Sequence, residues 1–338
     1  MIQKKSENFS ARIFVNNDMK KSSLYIIFFL TVHQFLFAQK IDNMASFRDI
    51  KSDTYFRFNY DNDYFGSSDE NYTQGYNFEF VLPYLRKNPI NKLFLKSTTK
   101  EIKYGVSVEH IGFTPFNIKS AEIQFGDRPF AAAIMLKSFK IATDTISKSR
   151  LVSSLNLGLI GPGAFGKEMQ VAIHQATGNV IPQGWQNQIK NDAVVNYEIN
   201  YEKQLLRYGN FFAIQSNTNV KLGTLFMNAS VGVNTTLGII NSPFTSVKNK
   251  NKFQVYLYTQ PLFTVVGYDA TLQGGLFNSK SPYTIASSDV ERFTAQINYG
   301  LVLQTRTLFF EYSRSEITRE FASGSHAKWG GIKFGFKF

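Results

Sequence analysis

Three short stretches of the chain hold residue types able to do chemistry. The first is Tyr60-Asp61-Asn62-Asp63-Tyr64-Phe65 and the second Glu70-Asn71-Tyr72-Thr73-Gln74-Gly75. The third runs Gly161-Pro162-Gly163-Ala164-Phe165-Gly166-Lys167-Glu168-Met169-Gln170-Val171-Ala172-Ile173-His174 and continues to Gly184-Trp185-Gln186-Asn187-Gln188. Gln170 and His174 are four residues apart, a spacing that a helix turns into one shared face. Pro162 and Gly166 suit the approach to such a helix, and Gly178 suits its end. An imidazole near its ordinary pKa takes a proton from water at physiological pH, so His174 is a candidate general base. By residue type alone, an incidental loop histidine is the commoner reading. His110 and His326 fall near expected strand ends and read as rim residues. Other chemistries find no support: the chain has no Cys, no Gly-x-Ser-x-Gly elbow, no glycine-rich phosphate loop and no zinc-spaced His pair.

The elements that must position these residues are strands. Segments of about ten residues alternate apolar and polar side chains between Gly, Asn, Asp, Ser and Lys, the pattern of a membrane-spanning barrel wall. The pattern predicts strands over 53–63, 72–84, 101–112, 129–141, 150–160, 192–206, 210–222, 227–239, 253–265, 290–304, 307–319 and 326–338. The expectation is an all-β, antiparallel up-and-down transmembrane barrel of twelve strands with a short helix in an outer loop. The last segment is the clearest: Ile332, Phe334, Phe336 and Phe338 share one face, and Lys333, Gly335 and Lys337 the other. Its terminal aromatic resembles the signal by which such barrels engage the barrel-assembly machinery. With the N-terminus on the periplasmic side, the outer loops are 64–71, 113–128, 161–191, 223–226, 266–289 and 320–325. All three chemical stretches then meet at one rim.

Composition agrees. The 338 residues include 33 Phe and 17 Tyr against 2 Trp, with only 18% charged residues, and mean hydropathy is −0.19. That is aromatic and low in charge for a soluble enzyme, yet without the long apolar runs of a helical membrane protein. Met19-Lys20-Lys21, the apolar run Leu24 to Phe37 and the small residue Ala38 predict a secretory signal over 1–38, with 1–18 a possible upstream extension. The barrel domain is then 39–338. The net charge of +12 becomes +9 without that leader, 32 basic against 23 acidic residues. In an exported barrel this surplus points to phosphorylated lipid head groups, not to nucleic acid.

These motifs resemble the outer-membrane lipid A 3'-O-deacylases. That family has Asn-Asp closing the first strand, Tyr-Thr-x-Gly opening the second, Gly-Pro followed by Gly-x-Glu-x-Gln-x-x-x-His, and Trp-x-x-Gln about eleven residues later. All four occur here in order. The resemblance implies an outer-membrane hydrolase that removes a 3'-linked acyl or acyloxyacyl chain from lipid A of lipopolysaccharide in the outer leaflet. His174 would activate water, Gln170, Thr73 and Asn62 would complete the catalytic set, and calcium held mainly by Asp63 would stabilise the oxyanion. Lys119 would hold a phosphate or polarise the substrate. Trp185 and Gln188 would contact substrate or pin the loop to the rim. Two features depart from the family. The loop around Lys119 is less basic, and residues 175–183 contain no carboxylate to orient the histidine. A phospholipase and a non-catalytic pore or adhesin are the competing expectations.

Overall fold

A computed structural model describes residues 42–63, 71–99, 101–245 and 253–338; the expected signal over 1–38 and most of the loop at 64–71 lie outside the described residues. Twelve antiparallel strands close into one barrel, each paired with its neighbours in sequence and the last with the first. They are β1 (Tyr55–Asn62), β2 (Asn71–Val81), β3 (Glu101–Thr114), β4 (Ala131–Asp144), β5 (Ser149–Ile160), β6 (Asp192–Tyr208), β7 (Phe212–Gly223), β8 (Phe226–Ile239), β9 (Gln254–Asp269), β10 (Phe293–Gln304), β11 (Leu308–Ile317) and β12 (Ala327–Lys337). Every predicted strand is present, with ends displaced by no more than four residues. Closure satisfies backbone groups that lipid cannot.

The alternation read from sequence is the alternation of the wall. In β1, Tyr55, Arg57, Asn59 and Asp61 are buried in the lumen, while Phe56, Phe58, Tyr60 and Asn62 look outward and are only half-buried. In β12, Lys333 is buried and Phe334 and Phe336 are exposed. Among the described residues two α-helices interrupt the outer loops: α1 (Gly166–Thr177), as expected, and a single turn, α2 (Ala270–Gln273), which continues directly from β9.

Residues 42–53 make no strand. They fold into the half of the lumen where β1 begins and plug it. Met44, Ala45, Phe47 and Ile50 pack against the inward residues Phe139, Val152, Tyr256 and Phe309. The charged residues of the segment bridge opposite walls. Arg48 donates through Nε to Glu311 at 2.8 Å and through a terminal nitrogen to the Tyr258 hydroxyl at 2.8 Å. Asp49 lies 3.0 Å from Lys103, 3.5 Å from Lys51 and 3.6 Å from Arg150. Burial alone would raise the Asp49 pKa, but the charges of Lys103, Lys51 and Arg150 outweigh it and hold the carboxyl well below the usual carboxylate range. Beyond the plug, two cavities of about 70 and 50 Å³ share Lys221, Ser230 and Gln296. They have room for a few waters and not for a lipid.

Candidate active site

The site is built on the outside of the wall. Asn62 ends β1 in the outward phase and pairs with Gly330 on one side and Gln74 on the other. Gln74 pairs in turn with Gly112. A register shift between Tyr72 and Gln74 puts a bulge at Thr73, which re-aims a side chain without disturbing the strand below. A Cβ built on Gly112 would meet Thr73 Cγ2 and Gln74 Cγ at 3.5 Å, so all three share the outer face. One step down the barrel, Tyr76, Tyr60, Ile332 and Tyr312 form a continuous outward row. Such an aromatic belt marks the boundary between acyl chains and head groups. The Asn62 row therefore stands at head-group level.

Against this wall lies the long loop between β5 and β6. Ala164 and Trp185 are buried with Phe130 and the outward Ala132, over Ile134 and Leu159. Buried spacing along α1 is four: Gly166, Gln170 and His174 face the wall. Gly166 is required by the approach, since a Cβ there would sit 2.4 Å from Ala132 Cβ and 2.7 Å from the Trp185 ring. The helix ends at Gly178, which adopts φ 71° and donates its N–H to the His174 carbonyl, as glycine in the left-handed region permits.

Gln170 ties helix to barrel. Its Nε2 donates to Thr73 Oγ1 at 3.0 Å, and its Oε1 accepts from Trp185 Nε1 at 2.7 Å. The indole N–H fixes which end of the amide faces the wall. Asn62 Nδ2 donates to the Thr73 carbonyl at 2.7 Å, so Thr73 links the loop helix to the end of β1. The helix crosses Ala132 of β4 with Gly166 and Thr73 of β2 with Gln170. One further turn, about 6 Å, carries His174 toward the end of β1, where Asp63 is buried.

His174 Nδ1 lies 2.5 Å from the Val180 carbonyl. A carbonyl only accepts, so Nδ1 carries a proton, and in the neutral ring the lone pair is on Nε2. A main-chain oxygen from residues 175–183 thus does what an absent carboxylate would do.

The remaining candidates are placed less centrally. Trp185 is enclosed, so of the two expectations for it the structure fits pinning of the loop and not contact with a substrate from outside. Gln188 is buried in the same loop. Lys119 is exposed beside Ile118, whose carbonyl accepts from Gln183 N at 2.9 Å. Asp61 turns into the lumen, 3.8 Å from Lys333. His110 is not a rim residue: β3 continues to Thr114, and the ring is fully buried under the loop, stacked on Tyr76 at 5.0 Å. Its outward phase in β3, opposite Tyr76, is the feature that the strand-end reading missed. Among the described residues no three His, Asp or Glu side chains form a metal cage. A cation here would have Asp63 as its carboxylate, with the Asn62 side-chain oxygen and main-chain carbonyls, a hard-oxygen set that suits calcium.

Fold and site together define an outer-membrane barrel with a polar site on its lipid-facing wall beneath a loop helix. The family model for outer membrane protein LpxR matches residues 24–338, and the chain belongs to that family. LpxR from Salmonella typhimurium superposes with a TM-score of 0.68 at 17% identity, covering 84% of this chain and 100% of the other. The β domain of the Bordetella autotransporter BrkA gives a TM-score of 0.44 at 7% identity over 84% and 98% of the two chains, too distant to support an argument. No curated protein matches the sequence.

Proposed function

We propose that the protein is a lipid A 3'-O-deacylase that hydrolyses a 3'-linked acyl ester in the outer leaflet. Family membership supports a lipid A deacylase at this membrane. The observation that carries the reading is the Gln170–Thr73 hydrogen bond, which docks α1 on the lipid-facing wall at the depth where leaflet esters lie. His174 Nε2 takes the proton of the attacking water, and Val180 holds the ring in the required tautomer. Gln170 and Thr73 hold the reacting groups in line, and Asn62 braces the bulge. Calcium bound by Asp63 and neighbouring oxygens would supply positive charge to the oxyanion. The plugged lumen speaks against a pore.

The test is mass spectrometry of lipid A from cells expressing the protein. The unmodified chain should remove one acyl or acyloxyacyl group, and His174→Ala should lose activity about 10²–10⁴-fold. Chelation should mimic that loss. Unchanged acylation by the expressed, folded protein refutes the reading, as does cleavage of glycerophospholipid but not lipid A.

A further inference from the structure

The outward row that holds Asn62 continues away from α1. Asn62 pairs with Gly330, Gly330 with Arg314, and Arg314 with Tyr299. All four lie in the lipid-facing phase of their strands, which includes Phe310 and Tyr312 in β11 and Phe334 and Phe336 in β12. Arg314 is therefore two strand spacings from Asn62, about 9.5 Å between main chains, and the residue between them has no side chain. Gly330 places no side chain between guanidinium and site, and its own backbone is buried.

Arg314 is half-buried, and among the described residues it makes no hydrogen bond or ion pair. An arginine on the lipid face of a barrel destabilises it near the bilayer midplane and is tolerated only near the head groups. Arg314 sits three residues from the outer end of β11 and one row above Tyr312 of the aromatic belt. The carboxylate that faces it from its own strand is Glu316, which lies 3.2 Å from Lys328 and accepts from the Tyr299 hydroxyl at 3.0 Å. Arg314 and Lys328 against Glu316 leave one positive charge on this patch.

We propose that Arg314 binds a phosphate of the sugar whose ester is presented to His174, and so selects phosphorylated glycolipids over neutral acyl esters. The proposal rests on the deacylase reading. In lipid A the carbon bearing the scissile 3'-ester adjoins one that bears a phosphate. A phosphate beside the ester would lie within reach of the planar donor fork of arginine, which matches phosphate oxygens in pairs. The rest of the sugar would stand on the belt, with its acyl chains along the wall below.

The experiment compares kcat/KM of detergent-purified protein on lipid A with and without the phosphate on the 3'-acylated sugar. The unmodified chain should favour the phosphorylated lipid. Arg314→Gln should reduce that ratio about tenfold or more, the scale of a lost hydrogen bond to a charged group, and mainly through KM. Arg314→Lys should restore part of it. An unchanged ratio, or an equal loss on both lipids as a purely structural role would give, overturns the proposal. Should the unmodified protein cleave neither lipid, the deacylase reading fails by itself. Binding of the two lipids to His174→Ala protein, with and without Arg314→Gln, then still decides: Arg314-dependent preference for the phosphorylated lipid upholds phosphate binding, and equal binding refutes it.

Discussion

The inside and the outside of this barrel use polar residues in opposite ways. In the lumen, charges face partners brought from far along the chain, as Arg48 meets Glu311, 263 residues away. Arg57 meets Glu79 at 2.7 Å, and Lys137 meets Glu198 at 2.8 Å. These pairs hold the walls around the plug, and the two cavities among them have room for a few waters. On the outer wall the polar residues of the site converge on Thr73, whose hydroxyl accepts from Gln170 and whose carbonyl accepts from Asn62. There the partners are hydrogen-bonded amides, an indole and a hydroxyl, and Arg314 nearby makes no hydrogen bond or ion pair among the described residues. The interior is thus organised for stability, and the exterior carries the site that the proposed function assigns to chemistry on a leaflet lipid.

Breaking the lumen should cost stability without touching catalysis. Asp49→Asn removes the anion between Lys51, Lys103 and Arg150. Deleting one partner of a buried ionic cluster costs about 3–5 kcal/mol. The urea midpoint in lipid vesicles should fall accordingly, while turnover per folded molecule holds. Because the folded carboxyl titrates below its unfolded value of about 3.9, its stabilisation is present above that pH and disappears as pH falls further. The unmodified barrel should therefore lose stability on acidification in a range where the Asp49→Asn barrel changes less. Loss of turnover in a folded Asp49→Asn protein would show that the two regions are coupled.

Breaking the outer wall should do the reverse. Trp185→Phe keeps a ring in the loop but deletes the donor that orients Gln170. The Gln170 amide can then turn, and misplacement on this scale costs 10- to 100-fold in rate. Most of that should appear in kcat. The accompanying stability loss should stay near about 1 kcal/mol, the net worth of one hydrogen bond. A large fall in unfolding midpoint with kcat intact would make Trp185 a packing residue only.

How much of this was legible follows from the same division. The strands were readable because one face of each meets lipid, which imposes a period of two from Tyr55 to Phe338. The helix was readable because Gln170, His174 and Gly178 are local signals. The plug was not: residues 42–53 have no periodicity, and their partners, such as Glu202 for the Ser46 amide, are 156 residues distant. Val180 was invisible for another reason, since what it offers His174 is a main-chain carbonyl that any residue type would provide. Arg314 lay in plain alternation with Phe310 and Tyr312; its meaning needed the register that sets Gly330 between it and Asn62.

The smallest expected effect separates the two cations of the outer side. Lys119 is exposed at the tip of the segment that packs against Gln183 and Gly184, so water and salt surround its charge. An exposed charge pair contributes up to about 1 kcal/mol, so Lys119→Gln should raise KM for lipid A no more than about fivefold. Added salt should erase the difference, because screening acts most strongly on solvated charges. Arg314→Gln, one row above the aromatic belt and flanked by wall, should give the larger and less salt-sensitive change. If Lys119→Gln instead exceeded Arg314→Gln and survived high salt, the phosphate would lie above the loop beside Ile118, and Arg314 would hold no head group.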